Sequence, residues 1–364
     1  MNMQAEAIRL ERKPMRVPTI AYHDTLFPGR LIRPARECFL LYAPRERCYA
    51  HALDDPKCAR NRVFLEALHA WMKRFAGHGD AHTFEYYCDQ ILYRGHYAFL
   101  PAAILGDMRV YEKAGIESHM TLQVGGALAA PDYSLLLFAR AHWDGSLTAG
   151  TAIAALAERI DRRNPAPWKR YLAARAAAYA EAFAICDLTQ DVYFDYRFMP
   201  ELEGERGKAL AAAQRTGART LAAAAAALAR EARRMQPRTA ALAQQEAARA
   251  RFEAADLLAM HLHQTGLNHL AAYLDTRKPA ALKRALDAFK RTLAQLDRAR
   301  ALQRSAGGEA AQGTKAWGYY PAFVESWSKK EIEAKIATFS QALNPAAATQ
   351  KARPGPAGAK ATVR

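Results

Sequence analysis

The residues best suited to chemistry sit in four short apolar runs within the first 145 positions. "VPTIAYHD" ends in Tyr22, His23 and Asp24, "HTFEYYCD" carries Glu85, Tyr87 and Asp89, and "SHMTLQVGG" carries Gln123. A carboxylate inside an apolar strand costs several kcal/mol unless it is paired, hydrogen-bonded or at a wet end. Asp24 and Glu85 are therefore expected in a polar cleft. Two carboxyl groups flanking a bond are what glycoside hydrolysis needs: one protonated acid, and one nucleophile or base. Asp24, Glu85 and Asp89 are accordingly the candidate catalytic residues. For Glu85 the competing reading is a structural ion pair with Arg45 or Arg47.

The second run, "CFLLYAP", opens into the loop "APRERCYAHALDDPKCARN". Arg45 and Arg47 follow the strand directly and can clamp a sugar acid with two parallel hydrogen bonds. With Tyr22, His23, Tyr87 and Gln123 they form the candidate substrate-binding set, reaching sugar hydroxyls or a uronate. Asp54 and Asp55 read as an ion-pair network, with "DDP" capping the helix that begins near residue 59. Cys48, His51 and Cys58 are zinc-type donors, but their spacing fits no common zinc pattern, and neither a metal nor any other cofactor is expected. His261 and His263, two apart on a helix, do not face each other and read as structural. The aromatic group Trp317, Tyr319, Tyr320, Phe323 and Trp327 reads as packing for a terminal segment, with a sugar-stacking platform as the alternative. No Ser-His-Asp order, P-loop or dinucleotide fingerprint is present.

The elements that must position these residues change in texture along the chain. Residues 16–145 alternate strands at 17–24, 38–44, 82–89 and 118–126 with helical patterns at 59–77, 99–115 and 132–143. That alternation indicates βαβ units and a parallel sheet, whose function lies at the carboxyl ends of its strands. From about residue 148 strand signals vanish, and helical patterns run over 148–163, 165–186, 205–235, 238–267, 268–275, 279–304 and 328–342. Four βα units are half of a closed (β/α)8 barrel. The expected fold is α/β followed by all-α: the C-terminal half of such a barrel plus a C-terminal helical domain. A self-contained small α/β sheet is the alternative. The expected divisions are 1–15, a helix of a truncated barrel; 16–146, the half barrel; 147–345, the helical domain; and 346–364, a disordered tail.

The chain has 364 residues and a formal charge of +16. The positive charges are spread as single arginines along Ala-rich helices beside Glu and Asp, which reads as solvated helix faces, so no nucleic-acid partner is expected. No run of membrane-spanning type occurs, so no membrane attachment is expected. The first 15 residues lack the apolar core of a secretory signal, which points to the cytoplasm. Five cysteines without a C-x-x-C pair fit reduced thiols rather than a disulfide framework. Nothing in the sequence bears on oligomeric state.

Taken in order, "AYHDTL", "YAPRERCYAHALDDPKCARN", "FEYYCDQILYR" and "SHMTLQVGG" resemble the bacterial domain-of-unknown-function family 4838. That domain occurs in large proteins similar to alpha-glucuronidases, with a glycoside-hydrolase-type (β/α)8 barrel. The resemblance covers residues 16–145 and, more loosely, the helical region. It implies a glycoside-hydrolase-like protein acting on a glycan but no known substrate; a uronic-acid-containing glycan is one candidate. It also implies, by strand order, that Glu85 and Asp89 are base carboxylates. Family members carry earlier barrel strands that these residues do not supply. A non-catalytic carbohydrate-binding relative and a helical interaction module are the alternative functions.

Overall fold

The computed structural model of the chain describes residues 2–183 apart from 13, 32, 79, 90, 91, 117 and 125–131, and then residues 202–304 and 315–343, with side chains in the last helix from residue 328. The expected tail at 346–364, the Gly125-Gly126 pair, Cys186 and the side chains of the aromatic group around Trp317 lie outside the described residues.

Four strands form one parallel sheet in sequence order: β1 (Val17–Ala21), β2 (Cys38–Tyr42), β3 (Ala81–Asp89) and β4 (Ser118–Val124). Parallel neighbours require a crossover. Helix α2 (Ala59–Arg74) supplies it between β2 and β3, and α3 (Pro101–Lys113) between β3 and β4. Between β1 and β2 the described chain has only a one-turn 3-10 segment, His23–Thr25. Helix α1 (Asn2–Leu10) precedes the sheet and α4 (Tyr133–Ala141) follows it, capped by Asp132, whose carboxylate accepts the Ser134 and Leu135 amides. The helix near residue 59 is not capped by "DDP". Its N-cap is Cys58, and Asp55 instead accepts the Lys57 amide at 2.9 Å within the preceding turn.

The two faces of the sheet differ. Val17, Thr19 and Ala21 of β1 share a face with Cys38, Leu40 and Tyr42 of β2 and with Thr83 and Glu85 of β3, and all are buried. Much of that face packs on Phe64, Leu68 and Trp71 of α2 and Val110 and Tyr111 of α3. The opposite face carries Ile20, Phe39, Leu41, His82, Phe84, Met120 and Leu122. Ile20 and Met120 are 45% and 42% exposed, and the others are half-buried. Parallel sheets ordinarily have both faces covered. Here the apolar face is only partly covered among the described residues.

The second region is helical: α5 (Ala149–Ile160), α6 (Ala166–Phe183), α7 (Gly204–Ala232), α8 (Pro237–Thr276), α9 (Pro279–Gln303) and α10 (Lys315–Leu343). The break expected near residue 267 is absent, and α8 runs through it for 40 residues. Gly266 serves packing there, because a Cβ at that position would lie 2.6 Å from the Phe289 ring of α9. The helix stops only at Arg277, which adopts the left-handed conformation (φ 56°) just before Pro279 opens α9. One apolar cluster runs from Tyr86 and Tyr87 through Trp168 and Leu257 to Phe289, so strand and helix regions share a core.

Ionic contacts reinforce that junction. Arg94, just after β3, meets Asp256 of α8 with two hydrogen bonds, Nε–Oδ2 at 2.9 Å and Nη2–Oδ1 at 3.0 Å. His96 Nε2 lies 3.0 Å from the same Oδ2. Arg175 of α6 pairs with Glu253 at 2.6 Å, and Glu253 also accepts the Tyr97 amide at 2.9 Å.

Candidate functional site

Glu85 and Tyr87 lie on β3 where it faces α3. The β3–β4 register shifts between Glu85 and Cys88, so the strict alternation that would place Glu85, Tyr87 and Asp89 on one face is interrupted. Glu85 is fully buried. It accepts hydrogen bonds from the phenols of Tyr49 (3.0 Å) and Tyr111, and its Oε1 lies 3.5 Å from Arg47 Nε. Arg47 also pairs with Asp107 of α3 and lies over the Tyr49 ring, 4.2 Å from its centroid. Asp107 further accepts from Tyr87 Oη at 2.8 Å and from the Leu53 amide at 2.6 Å. That last contact depends on Gly106, where a Cβ would lie 2.5 Å from Ala52 Cβ. Burial pushes the Asp107 carboxyl up to about 7; Arg47 opposes the rise and neighbouring Glu85 adds to it. Glu85 and Arg47 therefore meet in the structural ion pair that competed with the catalytic reading, within a buried network of carboxylates, phenols and one guanidinium.

A different cluster occupies the carboxyl ends of β1, β2 and β3. His23 takes a left-handed backbone (φ 48°), uncommon for a non-glycine residue. Thr25 stabilises the turn: its hydroxyl donates to Tyr22 O and Ile20 O and accepts the Tyr22 amide. The result brings His23 Nδ1 to 2.7 Å from Glu46 Oε1. Burial raises the Glu46 carboxyl above the usual range, opposed by His23, Arg45 and Arg60. Arg45 reaches Asp89, Nη2 to Oδ2 at 3.2 Å, and lies over the Tyr86 ring. Tyr22 stacks against Tyr86 with planes 13° apart and centroids 6.3 Å apart.

Of the candidate residues, Tyr22, His23, Arg45 and Asp89 come together in this cluster. Arg47, Tyr87 and Glu85 belong to the buried network, Asp24 is exposed on the 3-10 turn, and Gln123 is exposed on β4. Glu46 and Asp107 carried no assigned role in the sequence. Glu46 stands between two arginines and reads as their local counter-ion, whereas Asp107 lies on a helix, where an isolated carboxylate reads as solvent-facing.

Cavities also lie elsewhere, two of them near histidines. One of about 290 Å³ sits where α3 and α4 meet, beside His119 and His142. Burial and the neighbouring His142 bring His119 down to about 4. The other, about 630 Å³, lies across α7, α8 and α9, walled by Arg215, Arg219, Arg251, Arg291 and Arg298 beside His261. Among the described residues no helix is long and apolar enough to cross a membrane.

No family model and no curated protein sequence matches this chain. Among solved structures the chain is similar to a GH138 enzyme targeting pectin rhamnogalacturonan II, with a TM-score of 0.59 at 9% identity. The likeness covers 94% of this chain and 58% of that one, so the chain spans little more than half the length of the protein it matches. At this identity the likeness concerns the fold alone: a parallel α/β sheet joined to a helical region, as found in a glycoside hydrolase.

Proposed function

We propose that this chain is part of a glycoside-hydrolase-like enzyme acting on a uronic-acid-containing glycan, and that its sheet is half of a (β/α)8 barrel with the partly covered apolar face turned toward the barrel interior. The observation carrying this reading is the joining of a partly uncovered apolar sheet face to a polar cluster at the carboxyl ends of the same strands, where parallel α/β folds place their chemistry. In this reading Glu46 exchanges a proton with the glycosidic bond. Burial holds its carboxyl above the usual carboxylate range, which favours the protonated acid, and His23 Nδ1 lies 2.7 Å from it. Arg45 holds Asp89 and presents its guanidinium to a sugar carboxylate. Tyr22 and Tyr86 offer a stacked aromatic wall for a sugar ring. Glu85 and Arg47 act as scaffold beneath. The resemblance to family 4838 and the fold likeness to a glycoside hydrolase support a carbohydrate substrate.

The test is reducing-sugar release from a panel of pectic and glucuronate-bearing oligosaccharides by the wild-type protein and by Glu46→Gln. The substitution is expected to lower kcat by roughly 10²- to 10⁴-fold, as for loss of an acid–base group, with KM little changed. Full retained turnover in Glu46→Gln removes the assignment of Glu46. A wild-type protein that neither binds nor cleaves any member of the panel removes the functional reading.

A further inference from the structure

The loop between β2 and α2 holds a second constellation that the proposed glycan chemistry does not use. Cys48 Sγ, His51 Nδ1 and Cys58 Sγ all lie within 4.8 Å of one another. Cys48 Sγ and His51 Nδ1 are in contact at 3.2 Å. From these positions we infer that Cys48, His51 and Cys58 bind a zinc ion, with two thiolates and one imidazole as protein ligands and the fourth position open to solvent.

Three features favour this over three donors meeting by chance. The first is the distances. Zinc bonds of about 2.3 Å to sulfur and about 2.0–2.1 Å to nitrogen in a tetrahedral array put neighbouring donor atoms about 3.5–3.8 Å apart. The three atoms need move only slightly to surround an ion.

The second is the rigidity of the backbone carrying the ligands. Asn61, fully buried in the first turn of α2, spends both ends of its amide on this loop. Its Nδ2 donates to the carbonyls of Cys48 (2.9 Å), His51 (3.0 Å) and Ala52 (3.0 Å), and its Oδ1 accepts the Cys48 amide at 2.8 Å. Arg47 Nη1 adds contacts to the same Cys48 and His51 carbonyls. The turn is thus pre-organised before any ion arrives, which lowers the ordering cost of binding.

The third is the setting of the donors. Cys58 is the N-cap of α2 and makes no side-chain capping hydrogen bond; its sulfur lies beside Cys48 and His51 instead. Cys48 and Cys58 are 2% and 1% exposed, while His51 is half-buried and gives an ion a route in from solvent. The order C-x2-H-x6-C does not match the paired-knuckle spacing of zinc fingers, because the fold, rather than two tight turns, assembles the ligands. Cys38 and Cys88 are free buried thiols outside the cluster and serve as internal controls.

Binding is a ligand exchange without redox change. Each thiol gives up its proton to solvent, two sulfur–zinc bonds and one nitrogen–zinc bond form, and the ion sheds water molecules as they do.

The experiment loads the metal-free full chain with cobalt(II) as a spectroscopic stand-in and with zinc for elemental analysis. The expected result is one zinc per chain and, with cobalt, a near-ultraviolet thiolate-to-metal charge-transfer band with intense tetrahedral ligand-field bands. Cys48→Ser and Cys58→Ser should lose the charge-transfer intensity and the stoichiometric ion, while Cys38→Ser keeps both. Wild-type protein that shows no thiolate band with excess cobalt overturns the inference, whether or not the variants fold. So does stoichiometric zinc that survives both Cys48→Ser and Cys58→Ser.

Discussion

Two buried ion networks, one under the sheet and one between strand region and helices, are built from the same residue types and reach opposite proton balances. Under the sheet a single cation, Arg47, faces two carboxylates, Glu85 and Asp107, and tyrosine hydroxyls fill the remaining positions. At the junction Arg94, Arg175 and Arg249 face Asp256, Glu253 and Glu246, one for one, with His96 as a further partner. Burial alone would raise Asp107, Asp256 and Glu253. Where cations are short, Asp107 does rise; where they match, Arg94 and His96 overcome burial and hold Asp256 well below its usual range, and Arg175 lowers Glu253. The local ratio of arginine to carboxylate therefore decides which network carries a proton that neutral pH can remove.

The largest break in this comparison comes from Arg47→Met. It strands two buried carboxylates and is expected to cost about 3–5 kcal/mol, the range for removing one partner of a buried pair, read as a lowered urea midpoint. Asp256→Asn keeps one accepting oxygen for Arg94 but turns an amide NH2 toward its other N–H, and about 1.5–3 kcal/mol is expected. The pH response separates the networks by sign. Native Asp107 keeps its proton to about 7, whereas the unfolded chain releases it near the ordinary value of about 3.9. The native state then binds the extra proton, and this contribution to stability is lost as pH rises from about 4 toward 7. Asp256 and Glu253, held low in the native state, contribute stability that is lost as pH falls below the usual carboxylate range. Urea midpoints across pH should show the neutral-side decline flattened in Asp107→Asn and the acid-side decline reduced in Asp256→Asn; identical profiles in the two variants would contradict the contrast. The smallest effect is a scale bar. Thr148, whose hydroxyl accepts the Thr151 amide at the start of α5, should cost about 1 kcal/mol when changed to Ala. An Arg47→Met loss no larger than that would mean the sheet network contributes no more than one helix cap.

Much of this architecture is legible in the sequence because it rests on local rules. The alternation of strand and helical patterns locates the four parallel strands and nearly every helix to within a few residues. The differences arise where tertiary packing overrides a local signal. Gly266 weakens a helix in isolation but fits the Phe289 ring. "DDP" looks like a cap, yet the chain turns once more before Cys58 takes that place. The site is legible in composition but not in partnership. The crowding of Arg, Tyr and carboxylate at strand ends is plain, whereas the division between a partly solvated Glu46–His23 pair and a sealed Glu85–Arg47 pair depends on a β3 irregularity and on Asp107 reaching over from α3. Neither leaves a trace in residue spacing. Spacing discounts the Cys48, His51 and Cys58 grouping for the same reason, since it describes a ligand set only when one short turn builds it.

Asn61 also bears on the order in which the chain folds. All four of its loop hydrogen bonds join residues no more than 13 apart, whereas Arg47 must find Asp107 across 60. Short loops close at lower entropic cost than long ones. The segment from β2 into α2 should therefore form as an early, self-contained unit that the rest of the sheet condenses upon. In refolding kinetics Asn61→Ala should chiefly slow folding, whereas Asp107→Asn should chiefly speed unfolding. The reverse pattern would show that the sheet forms first and the loop settles later.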